Sequence, residues 1–158
     1  MRVQKDMFTD GGGGALSEEK PIYSLEGRVY WSESDAAHIA HFTSFFKYCE
    51  KTEEEFLFTG LSKLGIDFEG RLDIIFPRVH AECDYHAPLR VHDKYRVDIV
   101  DIEIGRSSIR WRYKIYNTSL GVLSAECKII TVALDPVAMK PVEVPEDIRK
   151  AFEEAMKR

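Results

Sequence analysis

The chain has 158 residues, of which 44% are hydrophobic and 31% charged, a composition typical of one globular domain large enough to bury a core. Its net charge of −5 at pH 7 argues against a general nucleic-acid-binding protein, because neutralising phosphates requires a basic face. The three cysteines are widely spaced, and the sequence has neither a membrane-length apolar run nor the apolar core of a signal peptide. We therefore expect reduced thiols, no membrane partner and a cytoplasmic location.

The first 20 residues are predicted to be a flexible tail. They contain the run Gly11–Gly14, which has no side chains to bury. The folded domain is expected to cover residues 21–158. Its first strand is predicted over Ile22–Trp31, where large apolar residues recur at alternate positions.

A polar loop containing Asp35 follows, and then a long amphipathic helix is predicted over about Thr43–Leu64. Residues at three- to four-residue spacing form the predicted buried stripe: Phe45, Cys49, Thr52, Phe56 and Gly60. A helix of about 22 residues is roughly 33 Å long, so it needs a broad surface to pack against.

That surface is predicted to be a sheet. Runs rich in β-branched and aromatic residues predict four more strands, at Val79–Tyr85, Tyr95–Ile104, Ser107–Thr118 and Val122–Leu134. A change of alternation within the second of these runs predicts a bulge. A last helix is predicted over Glu146–Lys157, directly after Pro145. The predicted fold is α+β, with one antiparallel sheet of about five strands wrapped around one long helix and a short C-terminal helix.

Asp35 is the first candidate for chemistry. It is a lone carboxylate in a loop, shortly before a helix whose first amides have no partners within the helix. Helix N-terminal amides can polarise a carbonyl oxygen, and a nearby carboxylate can attack the carbon or take a proton from water. The pattern indicates hydrolysis of an activated carbonyl, although an Asp that only caps a turn has the same local sequence.

Several fragments together resemble a known enzyme family. In order and spacing they are similar to the hotdog-fold acyl-CoA thioesterases of the 4-hydroxybenzoyl-CoA thioesterase type, and the resemblance covers about Ile22 to Phe152. The fragments that carry it are Ser34–Ala37, Phe45–Glu50, Tyr85–Leu89 with Asp93, Ile104–Ser108, and Leu134–Pro145.

The resemblance implies a hotdog fold and a homodimer, or a tetramer of such dimers, with two sheets joined edge to edge and the active site at the interface. It implies that Asp35 attacks the thioester carbonyl or activates water against it. The amides of His41 and Phe42 are implied to hold the carbonyl oxygen.

The resemblance also assigns roles farther along the chain. Glu50 matches a glutamate common on the central helix of this type, and Glu53 is a comparable candidate beside the buried stripe. Arg106, with Ser107 beside it, is implied to meet the CoA phosphates. CoA enters as part of the substrate, and no metal or redox cofactor is expected. The other basic residues of this region are read as strand-surface pairs, and a tight turn at residues 118–121 would pair Arg112 with a nearby Glu126.

Three alternatives remain open. His41-Phe42 with Glu55 faintly resembles the acyl-carrier-protein dehydratases, which would make the chain a dehydratase or hydratase of β-hydroxyacyl thioesters. His38 stands where the thioesterases usually have glycine, which leaves room for a non-catalytic acyl-CoA-binding protein on the same fold. The spacing Asp35-x-x-His38-x-x-His41 contains metal-ligand residue types but lacks the spacing of a helical zinc pair.

Overall fold

The computed structural model describes residues 20–158, so the tail predicted over residues 1–20 lies, except for Lys20, outside the described residues. Within them, five strands form one antiparallel sheet in the order β1-β3-β4-β5-β2. Their bounds are β1 Tyr23–Arg28, β2 Arg78–Tyr85, β3 Lys94–Ile104, β4 Ser108–Asn117 and β5 Val122–Val132. The predicted α+β architecture is confirmed, with strand ends within a few residues of those expected.

The first strand is shorter than predicted. It ends at Arg28, and Trp31–Glu33 forms a single 3₁₀ turn instead. Beyond Arg28 the chain leaves the ladder with β3: the Val29 amide donates to the Asp93 carbonyl at 3.0 Å, outside β3. Alternating hydrophobicity continues across this point, which is why the sequence did not indicate the end of the strand.

The long helix covers the predicted span but is not regular throughout. Helix α1 runs over Ser44–Glu55, a π-helical turn over Phe56–Gly60, and a 3₁₀ turn over Ser62–Leu64. The Leu61 amide donates to the Phe56 carbonyl at 2.8 Å, the i→i−5 bond of a π turn, and both of these side chains are buried. The predicted stripe is confirmed, with Phe45, Cys49, Thr52 and Phe56 buried against the sheet.

The register of the sheet confirms one prediction and corrects another. The bulge predicted in β3 lies between Ile99 and Asp101. The expected pairing of Arg112 with Glu126 is wrong: Arg112 lies opposite Lys128, and Lys114 lies opposite Glu126. Arg112 instead forms an ion pair with Asp101, at 3.6 Å, on the neighbouring strand.

The C-terminal helix α2, Glu146–Lys157, has the predicted bounds. Its Phe152 is fully buried, with ring centroids 5.6 Å from both Phe56 and Trp111, so α2 closes one end of the core. Among the described residues, no helix is both long and apolar enough to cross a membrane.

Candidate active site

The loop carrying Asp35 is a compact turn held by its own backbone. The Asp35 amide donates to the Ile39 carbonyl at 2.9 Å, and the His38 amide donates to the Asp35 carbonyl at 3.0 Å. Closing this turn requires a positive φ of 59° at His38. Glycine adopts that conformation without penalty, and His is among the residues that adopt it more often than most. The position needs a left-handed residue, and this chain meets that need without glycine.

The Asp35 carboxylate is anchored by one oxygen only. Its Oδ1 accepts a hydrogen bond from the Ala37 amide at 2.8 Å, the turn-capping contact anticipated from the sequence. Its Oδ2 has no hydrogen bond to any residue between 20 and 158. The side chain is half-buried at the edge of a pocket, so one oxygen fixes its orientation and the other is available for chemistry.

The pocket beside Asp35 has a volume of about 200 Å³. The Phe45 ring meets the Tyr85 ring edge-on, with centroids 5.0 Å apart, and forms part of its wall. Apart from Asp35, the lining residues are mainly apolar or aromatic: Ile39, Ala40, Phe42, Phe45, Tyr85, Ala87, Pro88 and Leu89. An apolar cavity with one polar group at its edge is the usual form of a small-molecule site.

The two amides expected to hold a carbonyl oxygen differ in this structure. The His41 amide already donates to the Glu33 carbonyl at 2.8 Å. The Phe42 amide makes no hydrogen bond within the described part of the chain, and Phe42 lines the pocket. The Phe42 carbonyl accepts from the Tyr85 hydroxyl at 2.7 Å, which fixes the backbone here against β2.

The two candidate carboxylates of α1 lie in opposite environments. Glu50 is exposed on the face of the helix that points away from the sheet. Glu53 is only 4% exposed, and its Oε2 accepts from Arg78 at 3.0 Å and from the Tyr113 hydroxyl at 3.1 Å. Burial raises the pKa of Glu53, and Arg78 opposes that rise. Within one chain, Glu53 is thus part of the core and Glu50 part of the surface.

Arg106 and Asp35 lie at opposite ends of the sheet. Asp35 shares its pocket with Tyr85, at the C-terminal end of β2, whereas Arg106 is in the β3–β4 turn, level with the N-terminal end of β2. The 8 residues of β2 span roughly 26 Å. Arg106 is exposed and paired with Glu143 at 2.8 Å, and the Ser107 carbonyl accepts from the Ala133 amide at 2.7 Å. One chain does not bring these residues together.

The residue sets behind two alternatives are not assembled either. Glu55 is the last residue of α1, about 16 Å along the helix from its start, and accepts from Thr59, so it lies far from His41. The His41 ring bonds to the Thr43 hydroxyl at 2.7 Å. Across residues 20–158, no three His, Cys, Asp or Glu side chains are placed to hold a metal ion.

Sequence reasoning missed two residues of this site, Glu33 and Tyr85. Tyr85 begins one of the fragments that resemble the thioesterases, and this was a signal, but its hydroxyl contact with Phe42 joins residues 43 positions apart. Glu33 gave no signal beyond lying two positions before Asp35, although its carbonyl accepts from both His41 and Ser44.

Comparison with known proteins places the chain in a family. The family model of the thioesterase-like superfamily matches residues 29–152. A 1,4-dihydroxy-2-naphthoyl-CoA hydrolase from Prochlorococcus marinus (strain NATL2A) is 30% identical over 134 residues, covering 78% of this chain and 83% of that protein.

Solved structures support the fold. A 1,4-dihydroxy-2-naphthoyl-CoA thioesterase from Synechocystis superposes with a TM-score of 0.73 at 22% identity, covering 84% of this chain and 96% of that one. A Staphylococcus aureus protein in complex with CoA superposes with a TM-score of 0.76 at 11% identity, covering 91% and 89%. The sheet and helix are therefore arranged as in hotdog thioesterase structures.

Proposed function

Because the chain belongs to the thioesterase-like superfamily and is a thioesterase, we propose that it hydrolyses acyl-CoA thioesters whose acyl group is aromatic. One observation carries the proposal: the apolar pocket has Asp35 at its edge and is lined by Phe42, whose amide makes no hydrogen bond within residues 20–158.

The size and lining of the pocket support an aromatic acyl group. A dry apolar cavity of roughly 150 Å³ can hold a benzene ring, so a pocket of about 200 Å³ accommodates a substituted aryl group. The rings of Phe42, Phe45 and Tyr85 offer edges and faces to such a group. The relative from Prochlorococcus is named for a dihydroxynaphthoyl ester, and the resemblance in sequence is to the 4-hydroxybenzoyl type. Both are aromatic, and the choice between them is part of the test.

The proposed mechanism uses the free oxygen of Asp35. Oδ2 either attacks the thioester carbon and, as the C–S bond breaks and the CoA thiolate leaves, forms a mixed anhydride that water then hydrolyses, or takes a proton from the attacking water before the tetrahedral intermediate expels the thiolate. The Phe42 amide donates to the carbonyl oxygen as negative charge develops on it. The products are the free acid and CoA, and the mechanism uses no metal or redox cofactor.

The exposed edge of β2 supports a homodimer. This strand is at one end of the sheet and pairs only with β5 among the described strands, and all its residues except Cys83 are exposed, including the apolar Val79. An exposed edge strand is a template for pairing with another chain. An antiparallel β2–β2 contact would place the Arg106 end of one copy beside the Asp35 pocket of the other. CoA phosphates would then meet Arg106 and Ser107 of the second copy.

Glu50 takes part only in such an assembly. Because Glu50 is exposed and is not among the residues that line the Asp35 pocket of its own chain, it can reach a thioester only in a site completed by a second copy.

The first experiment is a substrate panel with purified protein. Thiol release is followed with 1,4-dihydroxy-2-naphthoyl-CoA, 4-hydroxybenzoyl-CoA, benzoyl-CoA and straight-chain acyl-CoAs of several lengths. We expect kcat/KM to be highest for an aryl ester. Preference for a straight chain would reject the aromatic assignment. Binding of all esters without thiol release would indicate an acyl-CoA-binding protein, and consumption of a β-hydroxyacyl ester without thiol release a dehydratase.

A further inference from the structure

We propose that Glu33 is a positioning residue of this site, holding the Asp35 loop and the start of α1 in one fixed arrangement. The inference rests on the proposed function, since it concerns how the Asp35 carboxylate and the Phe42 amide are held at a fixed position relative to each other. Glu33 is not among the residues that line the pocket, and it acts through the backbone that carries both groups.

The Glu33 carboxylate accepts two hydrogen bonds at one oxygen. Its Oε2 accepts from the Tyr48 hydroxyl at 3.0 Å and from the Tyr30 amide at 2.9 Å. Lys51 approaches the other oxygen at 3.5 Å, but its side chain is 56% exposed. An exposed ion pair contributes little, so the hydrogen bonds from Tyr48 and Tyr30 are the important contacts.

The Glu33 carbonyl makes the second half of the connection. It accepts from the His41 amide and from the Ser44 hydroxyl, both at 2.8 Å. Ser44 is the first residue of α1, and His41 directly precedes Phe42. One residue is thus bonded by its side chain to the body of α1 and by its carbonyl to the start of α1. Asp35 lies two residues after it.

The partner on the helix is itself rigid. Tyr48 is 1% exposed, and its ring stacks on Tyr95 with centroids 4.1 Å apart. Burial, together with the Glu33 carboxylate, raises the pKa of Tyr48, so its hydroxyl remains a donor at neutral pH. Removing the acceptor leaves this buried hydroxyl without its partner and frees the Trp31–Glu33 turn.

A small displacement of the Asp35 carboxylate or the Phe42 amide should affect the reaction rate more than substrate binding. Misplacing a reacting group by about 1 Å can cost on the order of 10²-fold in rate. The pocket residues Tyr85 and Ala87–Leu89 belong to a different segment from the Asp35 loop and α1, and none of them hydrogen-bonds to Glu33. The expected signature is therefore a loss of kcat with little change in KM.

The test compares Glu33→Ala with Glu33→Gln. The amide oxygen of glutamine can take the place of Oε2 and accept from both Tyr48 and Tyr30, whereas alanine can accept from neither. We expect kcat to fall by about 10²-fold in Glu33→Ala, with KM within about threefold, and to recover to within a few-fold of wild type in Glu33→Gln. The matched control is Glu54→Ala, which removes an exposed glutamate of α1 and should behave as wild type.

A double-mutant cycle separates positioning from general damage. In an Asp35→Asn background only the Phe42 amide is left for Glu33 to position, so Glu33→Ala should lower kcat by a smaller factor there than in wild type. Equal loss in both backgrounds, or an unchanged kcat in Glu33→Ala, would overturn the proposal. Hydrogen exchange gives a readout without substrate: the amides of Asp35 and His41 should exchange faster in Glu33→Ala but not in Glu33→Gln.

The two proposals fail in different ways. Turnover that is unaffected by Asp35→Asn removes Asp35 from the chemistry, whatever Glu33 does. If turnover is lost in Asp35→Asn but unchanged in Glu33→Ala, the proposed function stands and the positioning role of Glu33 is rejected. Unchanged hydrogen exchange in Glu33→Ala rejects the positioning role even for a protein with no turnover.

Discussion

The ring of Tyr95 fills the space that a side chain at position 27 would need. A Cβ built on Gly27, the residue paired with Tyr95 across β1 and β3, would lie 2.5 Å from Cζ of the ring. The same ring stacks on Tyr48, whose hydroxyl reaches Glu33. The bare backbone of Gly27 therefore lets Tyr95 lie where it supports Tyr48 and, through it, the turn before Asp35.

Gly27→Ala should destabilise the fold. The added methyl group forces Tyr95 to move within a packed core, and overpacking of this kind typically costs about 1–3 kcal/mol. The measurement is the free energy of unfolding in denaturant. The control is Gly70→Ala, where the nearest neighbour is the end of the Asp67 side chain, which can move aside. Equal stability of the two variants would contradict the close contact.

Replacing Glu53 should change how stability depends on pH. Burial raises the pKa of Glu53 above its ordinary value of 4.5 in the unfolded chain. The folded state then binds more protons than the unfolded state as pH rises above 4.5, so the contribution of Glu53 to stability falls over that range. Glu53→Gln cannot titrate and lacks this fall.

Free energies of unfolding at pH 4, 5, 6 and 7 test this for wild type and Glu53→Gln. We expect the value for wild type minus that for the variant to decrease as pH rises. The exposed Glu54→Gln controls for loss of one charge on the same helix. A difference that stays constant or increases with pH would show that the pKa of Glu53 is not raised.

Narrowing the pocket should selectively weaken the binding of aromatic substrates. Ala87 is half-buried and lines the pocket beside Tyr85, so Ala87→Val places two extra methyl groups where we propose the aryl ring binds. KM for an aryl-CoA should rise about tenfold, a range typical of one or two methylene-sized changes in a pocket. Inhibition by free CoA should stay unchanged. The exposed Ala138→Val is the matched control, and equal KM values in both variants would place the acyl group elsewhere.

Arg106→Ala tests where the CoA phosphates bind. We expect KM for a CoA ester to rise severalfold, because a charge-assisted contact with phosphate is lost, and kcat to change little. An N-acetylcysteamine ester of the same acid lacks the phosphates and should be unaffected. Arg110→Ala, an exposed arginine paired with Glu103, is the control. An unchanged KM for the CoA ester in Arg106→Ala would show that Arg106 does not bind the phosphates. Arg106 can reach the pocket only in a dimer, and sedimentation analysis of the wild-type protein tests for that dimer.

Most of the fold could be predicted because its signals are local. The stripe through Phe45, Cys49, Thr52 and Phe56 has helical spacing, and alternation along β4 gave that strand and its buried face. The prediction that failed, the cross-strand partner of Arg112, depended on strand register, which the sequence does not specify locally. The partner of Arg112 depends on the register of β4 and β5, which includes a one-residue shift between Ile115 and Tyr116, and one such shift changes every later pairing.

The site was predicted only in part for the same reason. Asp35 was proposed because a loop acid before a helix start is a local pattern, and the Phe42 amide was proposed from the resemblance. Glu33 and Tyr85 were not, since their contacts with Tyr48 and Phe42 bridge 15 and 43 residues. Arg106 was assigned from the resemblance, and only the strand order reveals that one chain holds it at the far end of the sheet from Asp35.

The most direct test of the account compares turnover and binding in Asp35→Asn. Asparagine keeps an oxygen to accept from the Ala37 amide but can neither attack the thioester nor take a proton from water. With the preferred aryl-CoA, we expect kcat to fall by about 10³-fold or more, within the range for loss of a catalytic base or nucleophile, while Kd for the ester stays within about threefold. A kcat close to that of wild type, with Kd unchanged, would contradict the assignment of the chemistry to Asp35.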